Sequence, residues 1–514
     1  MSNLIQSLTR QLGPDHVLTS DADRLFFAHD VFRAHELPAA VVRPGTVEEL
    51  QAVVKAAYAS GTPLVVRGGG ASYTDAYAHI KPGGITIDTA RLDRIAINET
   101  NATVTVEPGV TWANLREVLL ARGYKTKFWG SYSGLFANVG GGMSMNAISH
   151  GPGCAAEAAL GFDIITGTGE MISTGSALSG PAEPFWRHYG PDLTGLFTGD
   201  CGALGVKARI TLALLKAPPA FATASFSFAT FDALHAAFRA IAVEAVVEEN
   251  FGLNEVLQQG QLGKTDAAAK ADIAGRIVKQ SGLMRGAAKL AKMALAGDKQ
   301  IAAAAYAGHF ICEGIDQAEA GGRIALVRRL CSQSGSEIPN SVPEVVRAMP
   351  FAPFHNTLGP KGERWLPCHA KLAHDRAVPF HHALQALYAD ESAVMAQHAI
   401  VAGGMFMAVG STAFVYEPAF YWPDAQTPYH ARMVDPDYLG TLPVYPRDQA
   451  AEAEALRIKT RVVDLMHDHG AAHSQIGKVY PYARDHDPGH WALLMAMKAA
   501  LDPRGILNPG ALGL

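Results

Sequence analysis

At 514 residues, 48% hydrophobic and 18% charged, the chain is long enough for about two to four domains, each with a sizeable core, and disorder is excluded. A formal net charge of −5 and an isoelectric point near 6.5 leave no basic footprint for a nucleic-acid backbone. Cys154, Cys201, Cys312, Cys331 and Cys368 lie too far apart for a zinc, iron–sulfur or disulfide framework, which fits a reducing compartment. The first residues carry Ser2, Asn3, Gln6 and Arg10 where a leader peptide would be apolar, so the expected location is cytoplasmic.

After an N-terminal extension over 1–35, Ala39-Ala40-Val41-Val42 reads as a strand, and Thr46-Val47-Glu48-Glu49 has the spacing of a capping box. Leu50, Val53, Val54 and Ala57 then recur at helical period, Gly61 supplies a stop, and Leu64-Val65-Val66 follows as a second strand, a βαβ unit of minimal size. Further strands are predicted at 85–87 and 103–106, and a helix over 112–122 that Gly123 ends. Glycine is dense from 130 to 153, a hairpin turns at Thr166-Gly167-Thr168-Gly169, and 206–215 reads as another strand. After Pro218-Pro219 the composition shifts to Ala- and Phe-rich helices and longer strands. The Ala-rich basic stretch 264–299 reads as a solvated helical face. The apolar run 399–415 is broken by Gly403, Gly404 and Gly410, which suits a buried strand with its turn better than a membrane span. From about 457 the pattern is again amphipathic helix.

Strand Val65-Val66 runs directly into Arg67-Gly68-Gly69-Gly70-Ala71-Ser72, where backbone N–H groups can converge on a pyrophosphate because no Cβ obstructs them, with Arg67 and Ser72 as added donors. A P-loop would need Gly-Lys-Ser/Thr, and a dinucleotide fingerprint Gly-x-Gly-x-x-Gly opening a helix; neither occurs, so bound NAD is not supported.

Taken in order, Arg43-Pro44, the loop at 67–72, Val106-Glu107-Pro108-Gly109-Val110, Ala137-Asn138-Val139-Gly140-Gly141-Gly142, the segments 190–197 and 202–206, and the closing 502–510 resemble the FAD-binding fold of the vanillyl alcohol oxidase and para-cresol methylhydroxylase superfamily. The resemblance implies an α+β protein: a two-subdomain FAD-binding domain over 36–217, a cap over 218–456 with a large antiparallel sheet, and a C-terminal segment, 457–514, returning to the FAD domain. By the same resemblance Arg67, Gly68, Gly69, Gly70, Ala71 and Ser72 hold the pyrophosphate and Pro108 and Gly109 line the cofactor's edge. Asn138, Val139, Gly140, Gly141, Gly142 and Asn146 run along the ribityl and pyrimidine side, and Ser131 is expected as a further cofactor contact. Gly153 and Cys154 approach flavin N5, and Val206 and Asn508 close the site.

Covalent attachment is not expected: Ala71 stands where linked relatives have His, the stretch from Ser131 to Gly134 has no Cys, and the cap strand Gly410-Ser411-Thr412-Ala413-Phe414-Val415-Tyr416 has no His. The FAD is therefore read as non-covalent.

Hydride removal from an alcohol carbon needs a base for the hydroxyl proton. The base is sought in two cap-side segments, Arg364 with His369, and His473 with Tyr480; Glu417, beside the aromatic run Phe420-Tyr421-Trp422, reads equally as a buried acid near the substrate or a sheet-edge carboxylate. His473 is the first choice for the base and His369 the second. Arg364 and His369, an odd number apart, fall on opposite faces of a regular strand. No metal set is legible, although His369 with His473 would supply two ligands in a metal-assisted 2-hydroxy acid dehydrogenase. The expected function is FAD-dependent oxidation of an alcohol, hydroxy acid or aromatic side chain, with non-redox transfer or lyase chemistry as the alternative. The expected partner is a small-molecule substrate, with an aromatic one and a homodimer both left open.

Overall fold

The computed structural model describes residues 2–149, 153–179, 183–262, 274–276, 290, 303–484 and 486–514. The basic stretch expected on a helical face lies almost wholly outside them.

Three sheets organise the chain. The first contains β1 (Val17–Leu18), β2 (Ala40–Val42), β3 (Leu64–Arg67) and β4 (Ile85–Asp88) in the order β1-β2-β4-β3, with β2 and β3 parallel to β4. The predicted βαβ unit is its core. Thr46 accepts from the Glu49 N–H to start the helix Val47–Ser60, and Gly61, at φ 66°, ends it. The stretch expected to be an extension is instead integral: Leu4, Leu8 and Leu12 of the helix Ser2–Leu12 pack under this sheet, and β1 pairs with β2.

The second sheet holds β5 (Ile95–Asn98), β6 (Thr103–Val106), β7 (Tyr124–Thr126), β8 (Ala159–Ile165), β9 (Met171–Ser173) and β10 (Val206–Lys216), all antiparallel in the path β5-β6-β10-β8-β9, with β7 also on β10. Its core gathers Trp112, Phe162 and Phe197.

Just past Pro218-Pro219 begins a large antiparallel sheet of β11 (Ala220–Phe228), β12 (Glu249–Asn254), β13 (Tyr306–Gly314), β14 (Gly335–Ile338), β15 (Arg364–Pro367), β16 (Ala370–Ala373), β17 (Val401–Val409) and β18 (Ala413–Trp422). The order is β14-β11-β13-β12-β17-β18-β15, with β16 also on β18. The apolar run 399–415 is β17 with its turn into β18, and no helix among the described residues is long and apolar enough to cross a membrane.

Side chains alternate across this cap sheet with period two. Phe406, Phe414, Tyr416, Phe420 and Trp422 face the helices Phe231–Glu244, His374–Asp390 and Gln449–Asp468 in one apolar core. The residues between them face the other way, toward the first two sheets. The helix Gln449–Asp468 stays on the cap: Ala455, Ile458, Val462 and Met466 are all buried there, so the boundary expected at 457 falls inside one helix. The chain crosses back further on, where Gln475 N–H donates to Met145 O and the helix Pro488–Leu501 reaches the second sheet's core.

That return is clamped by a buried ammonium. Lys498 Nζ donates to Asp502 Oδ2 at 2.7 Å and to the carbonyls of Ala203 and Leu507, while Asp502 accepts the N–H groups of Ile506 and Leu507. Lys498→Met should leave Asp502 buried without its cation and lower stability by about 3–5 kcal/mol, read as a lower urea midpoint. An unchanged midpoint would show that the clamp contributes nothing.

Candidate functional site

Between the first two sheets and the inward face of the cap sheet lies one continuous cavity of about 840 Å³. Its floor is the backbone of two glycine-rich segments that touch. A Cβ on Gly68 would overlap the Asn138 amide, and one on Gly69 would overlap the Phe136 carbonyl oxygen. Asn138 fastens the contact: its Nδ2 donates to Thr89 Oγ1 at 3.1 Å and its Oδ1 accepts from Gly141 N–H at 2.8 Å, capping the short helix Val139–Ser144. A Cβ on Gly142 would press on Trp112 Nε1 at 2.7 Å.

The loop after β3 is framed from behind. Tyr77 and Tyr429 hydroxyls both donate to the Gly70 carbonyl, at 2.7 and 2.6 Å, and Arg67 Nη2 donates to the Tyr429 oxygen at 3.0 Å. The Arg67 guanidinium sits among the rings of Phe26, Phe27, Tyr77 and Tyr429, 4.7–5.6 Å from their centroids. This corrects the expectation that Arg67 reaches a pyrophosphate with its side chain: it braces the loop from the rear. The N–H groups of Gly68, Gly69, Gly70, Ala71 and Ser72 have no acceptor among the described residues, and all five residues line the cavity. Such a run of free donors beside a surface without side chains fits an extended anionic dinucleotide.

Of the other residues expected to hold the cofactor, Pro108, Ser131, Asn138, Gly140, Gly141, Gly142 and Val206 are on the cavity wall. The rest stand behind it. Gly109 is pressed against Thr89 and Leu92, Val139 is fully buried in the second sheet's core, and Asn146 Oδ1 accepts from Ala156 N–H. Gly153 packs on the Glu157 carboxylate, and Cys154 joins Ile148 and Met407 at the seam between FAD domain and cap sheet. Asn508 ties two wall segments together: Nδ2 donates to Ala76 O and Cys201 O, and Oδ1 accepts from Lys478 Nζ at 2.6 Å. Burial lowers the Lys478 ammonium to about 8.

The expected catalytic residues separate into two groups. Arg364, His369, His473 and Tyr480 are absent from the cavity wall. Arg364 is buried against Asp424 and Glu452, 3.7 Å from each, and donates to the Phe32 carbonyl, so it joins the N-terminal stretch to the cap. His369 and Arg364 do not alternate on one strand, because β15 ends at Pro367 and His369 lies in the link to β16. Both are nevertheless buried.

His369 Nε2 faces the Ser474 carbonyl at 2.8 Å; a carbonyl only accepts, so Nε2 carries the proton and Nδ1 is left to the Tyr73 and Tyr480 hydroxyls, each at 3.4 Å. His473 Nδ1 donates likewise to the His369 carbonyl at 2.8 Å, and its ring stacks on Tyr480 at 4.0 Å. Burial pushes His473 down to about 4 and His369 to about 3. With one nitrogen of each ring spent on a carbonyl, the pair does not converge on a metal ion. Among the described residues the one set of three converging ligand atoms, Asp30, His35 and Asp75, already holds the Arg33 guanidinium, 2.6 Å from Asp75.

Glu417 is different. It lies in the interior strand β18, opposite Met405 of β17, not at a sheet edge, and its carboxylate faces the cavity with no hydrogen-bond or ion-pair partner among the described residues. Burial raises it to about 7. Trp365, Tyr421 and Tyr73 share that wall; Trp365 and Tyr421 are direct cross-strand partners, and the Tyr73 ring meets Trp365 edge-on at 5.2 Å. Opposite, Val342, Val345, Val346 and Met349 of the helix Ser341–Ala348 and its end line the cavity at helical spacing. Sequence reasoning missed Tyr73, Trp365 and Tyr421 as wall residues; the alternation Glu417, Ala419, Tyr421 was the available signal. Lys207 also lines the cavity, its Nζ held by Asp200 at 2.8 Å.

Comparison with known proteins agrees with this geometry. Residues 38–175 match the family described as FAD binding domain, and residues 441–512 that described as FAD linked oxidases, C-terminal domain. Among curated relatives, an uncharacterized FAD-linked oxidoreductase of Mycobacterium tuberculosis, Rv2280, is 28% identical over 46% of this chain and 51% of its own. The mitochondrial D-lactate dehydrogenase [cytochrome] of Arabidopsis thaliana is 28% identical over 41% of this chain and 37% of its own. The chain thus matches about half or less of these relatives' length. Across the whole chain the fold is similar to that of p-cresol methylhydroxylase, with a TM-score of 0.74 at 17% identity, covering 100% of this chain and 96% of the other. The glycine-floored cradle, the match of 38–175 to an FAD binding domain, the match of 441–512 to the C-terminal domain of FAD linked oxidases and the architecture shared with p-cresol methylhydroxylase agree on a PCMH-type FAD-binding fold.

Proposed function

We propose that the protein is an FAD-dependent oxidoreductase that takes hydride from a carbon of a small organic substrate, with Glu417 receiving the accompanying proton. The observation that carries this reading is the Glu417 carboxylate, which faces the cavity wall to wall with the glycine-floored cradle and has a proton affinity near neutrality. FAD, when bound, supplies a two-electron acceptor.

The chain's own residues do the rest. The N–H groups of residues 68–72 bind the anionic part of the cofactor, and Asn138 and Asn508 hold the wall segments in place. The apolar faces of β12, β17 and the helix Ser341–Ala348 exclude water and seat the substrate. Glu417, ionised above about pH 7, accepts the proton as the C–H bond breaks. His369 takes a positioning role, because its Nδ1 lies against the hydroxyl of Tyr73, which lines the cavity. His473 one layer further out packs Tyr480 and braces His369. A base is needed in the cavity, and only Glu417 of the expected candidates stands there.

The purified protein should be yellow, with about one FAD per chain, and acid precipitation should leave the flavin in the supernatant, since Ala71 and Ser131 stand on the wall without the His or Cys that linked relatives are expected to use. A colourless protein that takes up no added FAD would end the reading; flavin in the pellet would overturn only the non-covalent part.

In rapid-reaction measurements, Glu417→Gln should slow flavin reduction by about 10²- to 10⁴-fold with FAD still bound, whereas His473→Ala should stay within about tenfold of the parent. The parent rate should rise with pH through about 7 and level off, since the base works ionised, and the step should vanish in Glu417→Gln. The reverse order of the two variants would return the base to His473.

A further inference from the structure

The charge inventory of the cavity narrows the substrate, on the footing of the oxidoreductase reading above. Among the described residues that line it, Glu417 is the one carboxylate and Lys207 the one lysine or arginine. Lys207 is already neutralised, because its Nζ lies 2.8 Å from Asp200, whose side chain is fully buried. Among the described lining residues no free lysine or arginine offers a counter-charge to a carboxylate ligand, and the one lining histidine, His355, is stacked on Tyr438 at 4.0 Å. An anion placed there would meet Glu417 and an apolar surface, a desolvated charge without a partner.

The same wall suits the opposite sign. Trp365, Tyr421 and Tyr73 present aromatic rings around the small Ala419, and ring faces attract cations. Glu417 supplies the ionic partner on the same sheet face, two pleats from Tyr421. Beyond them Met405, Leu253, Val345 and Met349 offer room for an apolar arm.

We propose that the substrate is an amine with an apolar arm, bound as its ammonium between Glu417 and the Trp365, Tyr421 and Tyr73 rings, and oxidised to the imine. The ammonium loses one proton to the Glu417 carboxylate. The nitrogen lone pair so freed closes the C=N bond as the neighbouring C–H bond breaks and its electron pair leaves as hydride to the FAD. The amine is oxidised by two electrons, FAD is reduced by two, and the iminium departs with the proton it retains.

The groups around Glu417 leave it as the one that titrates near neutrality. Tyr421 on its own strand, Tyr73 from the FAD-domain loop and Tyr480 from the C-terminal segment are all raised above 10 by burial, and burial lifts Cys368, at the end of β15, to about 12. His369 and His473 behind them are neutral, lowered to about 3 and 4. Affinity for a cation should therefore fall as pH drops below about 7, as the carboxylate takes up its proton.

Three probes with one arm test the proposal by calorimetry on the FAD-loaded protein: 4-phenylbutyltrimethylammonium, 5-phenylpentan-1-ol and 5-phenylpentanoate. The quaternary cation has no nitrogen lone pair and cannot be oxidised, so its binding is read without turnover. At pH 8 it should bind about tenfold or more tighter than the alcohol, and the carboxylate weakest. The preference should be lost in Glu417→Gln, and in the parent it should weaken below pH 7 while alcohol binding stays flat. Equal binding of cation and alcohol, or tightest binding of the carboxylate, overturns the proposal, and the pH series on the parent decides it if the variant fails to fold. Anaerobic mixing with 4-phenylbutylamine should bleach the flavin. If alcohols or hydroxy acids bleach it and amines do not, the amine assignment falls and the oxidoreductase reading stands. If no substrate class bleaches it, the oxidoreductase reading falls, and with it the oxidation step.

Discussion

Everything in the site depends on two backbone segments lying in van der Waals contact. The loop 68–70, carried by the first sheet, touches the segment 136–138 that leads into the short helix Val139–Ser144 over the second sheet, and the approach is closer than any Cβ permits. Asn138 converts the contact into a fixed geometry by bonding to Thr89 on one side and capping its helix on the other. The glycines are thus required twice over, once for the fit of protein to protein and again for the row of free N–H groups that results. A packing reading and a binding reading of such a stretch, which compete in the sequence, turn out to be the same arrangement.

The rear of the loop is held by a cation in an aromatic setting. Arg67 buried among four rings is costly to place there unless its charge is met, and the rings, together with the Tyr429 hydroxyl, meet part of that cost. Because Tyr429 reaches the loop from after β18 and Phe26 and Phe27 from before β2, this one side chain couples the N-terminal stretch, the FAD domain and the cap-side chain. Arg364 repeats the device on the cap, with Asp424 and Glu452 as partners and the Phe32 carbonyl as acceptor.

The cap sheet solves a different problem. Its eight strands must bury one face against helices while keeping the other open to a ligand, and period-two alternation sorts the residues strictly: Tyr416, Phe420 and Trp422 into the core, Glu417, Ala419 and Tyr421 into the cavity. A carboxylate on the cavity face is tolerated because water or a ligand meets it there. It would be expelled from the core face. The perturbed proton affinity of Glu417 follows from this half-dry setting.

Much of the local chemistry was legible in the sequence, since it needs only neighbours along the chain. Thr46 caps its helix, Gly61 ends it, β3 runs into glycines, and the run 399–415 is a strand with a turn, because each rests on hydrogen bonds or torsions within a few residues. The ordered glycine segments likewise sufficed for the FAD-binding fold. Tertiary structure alone decided which polar side chains reach the cavity. Arg67 was expected to face a phosphate, but rings from residues 26, 27, 77 and 429 claim it; His473 was expected to be the base, but the His369 carbonyl, 104 positions away, takes its Nδ1 and Tyr480 covers its ring. Glu417 stood evenly between a sheet-edge carboxylate and a buried acid near the substrate, and only β15 and β16 pairing outside β18 put it in the sheet's interior. A side chain's direction is set by contacts between segments tens to hundreds of residues apart, and those contacts leave no periodicity in the sequence to read.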